Sequence, residues 1–155
     1  MTRPAPPTGA TPPVECYLPD GSAIDLRPLA REICARYRAE FPDEQERYGD
    51  AGIQWCLHDN LYLLAWAVQD ARDATVRLNE QASWLARVLA ARDFPVLRLV
   101  RDLAIAAEVA RGNPSLIGLA AGVSERLSAA AAAIAGLPDG RGAPDAKVAD
   151  RAPEP

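Results

Sequence analysis

The chain has only one histidine, His58, and only one lysine, Lys147, in 155 residues. A single imidazole excludes metal centres built from several histidines. The pair His58-Asp59 superficially resembles HD-type phosphohydrolases, but that chemistry needs several histidines and aspartates converging on metal. There is no Cys-x-x-Cys pair. Cys16, Cys34 and Cys56 are far apart and odd in number, so zinc-finger and thioredoxin-like readings lack their signature. They are expected to be small buried hydrophobes. A nucleophile elbow and a glycine-rich phosphate loop are both missing, and with them the usual marks of hydrolases and nucleotide binders.

Basic excess is lacking too. Lys and Arg total 17 against 21 Asp and Glu, giving a net charge of −4 and a pI near 5.0. A general polyanion binder needs the opposite balance, so no nucleic-acid partner is expected. No apolar run approaches the roughly 18 residues of a bilayer span. The alanine-rich stretch 116–137 is broken by Glu125 and Arg126, so no membrane partner is expected. The opening "MTRPAPPTGATPP" has no apolar segment of the secretory kind. A cytoplasmic location is the resulting expectation. Heavy use of alanine and of arginine over lysine suggests a GC-rich, bacterial genome.

Large aliphatic residues are scarce at both ends. Residues 1–13 and 138–155 are rich in proline, glycine and alanine and cannot bury enough apolar surface to offset their ordering entropy. Both are expected to be disordered tails, leaving one domain over 14–137. With 49% hydrophobic and 25% charged residues, that domain has the composition of a globular protein with a real core.

Its pattern is all-α, a bundle of about five helices with a small N-terminal β-hairpin. In "VECYLPDGSAI", Val14, Cys16 and Leu18 alternate with Glu15 and Tyr17, and Pro19-Asp20-Gly21 supplies the turn. Apolar residues at three- and four-residue steps predict helices over about 25–40, 51–73, 76–92 and 95–111. Asp25 is the expected N-cap of the first helix, whose face is Leu26, Leu29, Ile33 and Tyr37. "DEQERYG" suggests one helical turn before Gly49. A fifth helix is expected from Asn113 as N-cap and Pro114 at the first helical position, ending at Gly136. The short connections join antiparallel neighbours.

"LAAGVSERL" (119–127) resembles the turn of a helix-turn-helix DNA reader. The helix that would follow, "SAAAAAIAG", has no Arg, Lys, Gln or Asn to reach bases or phosphates. Gly118 and Gly122 are therefore read as allowing close helix packing. Arg87, Arg98, Arg101 and Arg111, mixed with Asp93, Asp102 and Glu108, read as a solvated face.

The densest chemistry is "WCLHDN" at 55–60, within the second predicted helix. Cys56 and His58 point about 200° apart on a helix, so no closed metal site is expected from them. Asp59 lies about 100° round from His58 and is not expected to orient the imidazole. No catalytic residue is assigned. Trp55, Asp59, Tyr62 and Trp66 form a second stripe beside the aliphatic one of Ile53, Leu57, Leu61, Leu64 and Val68. That stripe either packs against a neighbouring helix, with Asp59 paired to an arginine, or borders a cleft for an amphipathic or cationic small molecule.

Two functions follow as expectations. One is a non-enzymatic interaction, accessory or regulatory module with a protein partner or a homo-oligomeric state. The alternative is a ligand- or cofactor-sensing domain whose pocket is bordered by Trp55, His58, Asp59, Tyr62 and Trp66. Such a pocket could hold non-covalent haem, with His58 as the axial ligand.

Overall fold

The computed structural model describes residues 5–137. The expectation of a disordered segment at 138–155 falls outside the described residues, as do residues 1–4. The fold is an all-α bundle of five helices carrying a two-stranded antiparallel hairpin. Strands β1 (Glu15–Tyr17) and β2 (Ala23–Asp25) pair Cys16 with Ile24. Asp20 accepts the Ser22 N–H at 2.9 Å and Gly21 turns with φ 86°, the side-chain-to-backbone bond and positive φ that Asp-Gly favours in turns. Two strands are marginal alone, and this hairpin leans on helix. Cys16, Leu18 and Ile24 are buried.

Helix α1 spans Arg27–Glu40 and α2 spans Glu44–Asp73. The Tyr17 carbonyl of β1 accepts a 2.9 Å hydrogen bond from Arg72 of α2. Asp25 accepts the Arg27 N–H at 3.0 Å but belongs to β2, and Leu26 occupies the cap position. The expected turn at 44–48 is joined to the long helix through Gly49, whose φ of 66° and ψ of −160° kink the rod. Only glycine adopts that conformation freely. Gly49→Ala should therefore cost about 1–3 kcal/mol, read as a lower urea midpoint with an unchanged slope.

Helices α3 (Leu78–Ala91) and α4 (Val96–Arg111) follow close to expectation. The α3 N-terminus is satisfied from outside itself, because the Leu78 N–H donates to Asp70 of α2 at 2.9 Å. Asp70 also accepts from Arg126 at 3.2 Å, so one carboxylate ties α2 to α3 and to the last helix.

Helix α5 runs Ala120–Ala135, starting later than its sequence signals suggest. Asn113 does accept an N–H, that of Ser115 at 2.8 Å, but the bond closes a local turn. Gly118, with φ 75°, then prevents the helix from extending back to Pro114. A Cβ on Gly118 would meet nothing within 4 Å, so that glycine serves backbone conformation and not packing. A Cβ on Gly122 would meet Ala71 only at ordinary contact distance, 3.6 Å. The Gly-Val-Ser segment lies inside α5, with Val123 and Ser124 buried and the Ser124 hydroxyl donating to Ala107 of α4 at 2.8 Å. No helix-turn-helix exists there.

The core is lined by Leu29 and Ile33 of α1, Leu63, Leu64 and Val68 of α2, Leu78 of α3, Leu103 of α4 and Leu127 of α5. Among the described residues, no helix is long and apolar enough to cross a membrane.

Candidate functional site

Helices α2, α3 and α4 leave a cavity of about 420 Å³ between them. The α2 residues Trp55, His58, Asp59, Tyr62 and Trp66 all line it. Their rings form a continuous ladder. Trp55 and His58 meet edge-on at 5.1 Å, His58 and Tyr62 do the same at 5.1 Å, and Tyr62 tilts against Trp66 at 5.4 Å. Opposite stand Trp84, Leu85 and Leu89 of α3 and Leu99 of α4. All three tryptophans of the chain thus face one space.

Asp59 does orient the imidazole, contrary to expectation. Its Oδ1 lies 3.1 Å from His58 Nδ1. The two Cα–Cβ bonds diverge by about 100°, yet both side chains turn toward the cavity and meet over it. Arg92 stacks 5.8 Å from the Trp55 ring centre and acts on Asp59 only through its charge. Burial raises the Asp59 pKa, against the lowering effects of His58 and Arg92.

The polar floor lies deeper. Asp102 of α4 is 6% exposed and Asn60 of α2 is 2% exposed. The Asn60 Nδ2 group donates to the Cys56 carbonyl at 2.9 Å and to Asp102 at 3.1 Å. Cys34 and Cys56 sulfurs stand 3.6 and 3.5 Å from the same nitrogen. Burial pushes the Asp102 carboxyl up to about 7; Asn60 pulls it down, and Asp59 and Glu44 add to the rise. A hydrogen bond with Cys34, then burial, raises the Cys56 thiol far above its ordinary value. That thiol is a poor nucleophile and a poor metal ligand. Among the described residues, no group of three or more His, Cys, Asp or Glu is placed to hold a metal ion.

A third carboxylate, Glu44, is 4% exposed at the start of α2. It accepts from the Tyr37 hydroxyl of α1 and from Arg98 of α4, the latter at 2.8 Å. Arg98 also reaches Asp43 at 2.7 Å and stacks over Phe41 at 4.5 Å. Arg98 and Asp102 therefore do not belong to a solvated face. The missed signal was the register of α4. Asp102 falls three residues after Leu99 and four before Ala106, both buried, which places it on the inward face.

The N-terminal segment borders the mouth. Residues 5–13 form neither helix nor strand. The Trp55 indole donates to the Ala5 carbonyl at 2.6 Å, and Thr8 and Ala10 contribute to the cavity wall. Compared with family models, with curated proteins and with solved structures, the chain matches none.

Proposed function

We propose that the protein is a small-molecule-binding domain whose ligand occupies the cavity between α2, α3 and α4. One observation carries this reading: the aromatic stripe of α2 and every tryptophan of the chain border a space of about 420 Å³. That volume suits a small organic ligand, and apolar walls with a few convergent polar groups are the usual make-up of such pockets. A side-chain core normally closes such a space, because unfilled volume destabilises in proportion to its size.

The expectation of a protein-interaction module has weaker support. Leu97 is 76% and Ile117 64% exposed, but single apolar residues are ordinary on protein surfaces. Haem is disfavoured by charge, because its anionic propionates would meet a site in which Glu44, Asp59 and Asp102 all take part.

The test is a native mass spectrum with an absorption trace, recorded on protein purified without added ligand. Excess mass over the 16.6 kDa chain is the expected result, and a visible band would name a chromophore. Bare chains at a multiple of that mass, together with tryptophan emission that no small-molecule panel alters, would favour the interaction module instead.

A further inference from the structure

The floor of the cavity has hydrogen-bonding capacity that the fold leaves unused. Asn60 Nδ2 has two hydrogens, and its two shortest contacts are the Cys56 carbonyl at 2.9 Å and Asp102 at 3.1 Å. Both are acceptors, so the orientation of the amide is fixed by its partners. A flipped amide would press Oδ1 against a carbonyl oxygen. Among the described residues, the Asn60 Oδ1 and the Tyr48 hydroxyl are buried without a hydrogen-bond partner, and both residues line the cavity. A buried polar atom left unpaired is costly, which marks these two as waiting for a ligand.

Charge adds the sign. Three buried or half-buried carboxylates, Glu44, Asp59 and Asp102, face the cavity from α2 and α4. The cation among them, Arg98, is already held by Asp43 at 2.7 Å and Glu44 at 2.8 Å. His58 is engaged with Asp59, and Arg92 lies at the rim over Trp55. From α1 the floor is faced by Tyr37 and Cys34, and from α2 also by Cys56. None of these offers a free positive charge to Asp102.

We infer that the ligand is an amphipathic organic amine whose protonated nitrogen donates to Asp102 and to the Asn60 Oδ1, while its apolar body lies between the aromatic stripe of α2 and Trp84. This rests on the binding function proposed above and adds the class of ligand. An ammonium with N–H groups satisfies the carboxylate and the orphaned carbonyl together. A quaternary cation meets the aromatic faces but brings no hydrogen to either oxygen. The amine also draws Asp102 into its ionised form. Binding therefore releases a proton wherever that carboxyl is otherwise protonated, and affinity rises with pH toward neutrality.

The experiment titrates the full chain with 4-phenylbutylamine, its trimethylammonium analogue, 4-phenylbutanol and 4-phenylbutyrate, following tryptophan emission and calorimetric heat at pH 5.5 and pH 8. The amine should bind about tenfold or more tighter than the alcohol at pH 8, as expected for a charge-assisted hydrogen bond in a dry site. The trimethylammonium compound should fall between them. The advantage of the amine should shrink at pH 5.5. Asp102→Asn should abolish both the preference for the amine over the alcohol and its pH dependence. An alcohol or butyrate that binds as tightly as the amine would overturn the amine assignment and leave the cavity a binding site. If none of the four alters emission or heat, the amine assignment falls, and the binding function is decided separately by the native mass spectrum.

Discussion

Asp102→Asn should raise the melting temperature at pH 8 by about 5–10 °C. Burial holds this carboxyl at about 7, against an ordinary value of 3.8. Between those pH values the folded chain keeps a proton that the unfolded chain has lost. Stability therefore falls as pH rises through that window and levels off above it. A shift of that size corresponds to roughly 4 kcal/mol at 1.36 kcal/mol per pH unit, an upper bound because buried sites relax and admit water. Asparagine removes the ionisation and still accepts from Asn60 through its own oxygen. Near pH 3.5 the variant and the parent should melt alike. Thermal unfolding by circular dichroism across pH 3.5–8 checks this, and a variant no more stable than the parent at pH 8 would show that Asp102 is not destabilised by burial. A residue that weakens its own fold and faces a cavity fits a site in which stability has been exchanged for binding.

Arg98→Met should act in the opposite direction and as strongly. The guanidinium lies between Asp43 and Glu44 and stacks on Phe41. Asp43 is half-exposed and can be solvated when the arginine is lost. Glu44 has almost no exposed surface, and its remaining partner is the Tyr37 hydroxyl. Removing one member of a buried pair strands the other, at a cost of about 3–5 kcal/mol. Urea unfolding should show that loss. Combining Arg98→Met with Glu44→Gln should recover much of it, since the glutamine carbonyl still accepts from Tyr37 and carries no charge. A double-mutant cycle measures the coupling. A loss below about 1 kcal/mol in Arg98→Met would mean that Glu44 reaches water more freely than its burial implies.

The helices and the hairpin were legible because their signals are local. Periodicity placed α1, α3 and α4 to within a few residues, and Asp20-Gly21 placed the turn. The start of α5 was misread because Asn113-Pro114 is a start signal only if helical backbone follows, and Gly118 interrupts it with a positive φ. The aromatic wall was legible for the same reason as the helices, since Trp55, Asp59, Tyr62 and Trp66 share one face of α2. The floor was not. Asp102 and Asn60 are far apart in sequence and meet only when α4 packs on α2. Other charged residues of α4, such as Arg101 and Glu108, do lie near solvent, so a charge count along α4 suggested a wet face where Arg98 and Asp102 turn inward. The contact of His58 with Asp59 was missed for a different reason. Helical angle fixes where Cβ points, but side-chain torsions decide where the polar tips go.

The segment hydrogen-bonded through Ala5 to Trp55 bears on how ligands would be told apart. A strand of chain lying over a mouth competes with every incoming molecule on equal terms. If it must be displaced, each apparent affinity is divided by the same closed-to-open ratio. A net hydrogen bond of about 1 kcal/mol would make that factor only about fivefold. Such a cover raises every apparent dissociation constant by the same factor, and it leaves the ranking of ligands untouched. Any choice between one molecule and another has to be made further in, where Asn60 and Asp102 meet.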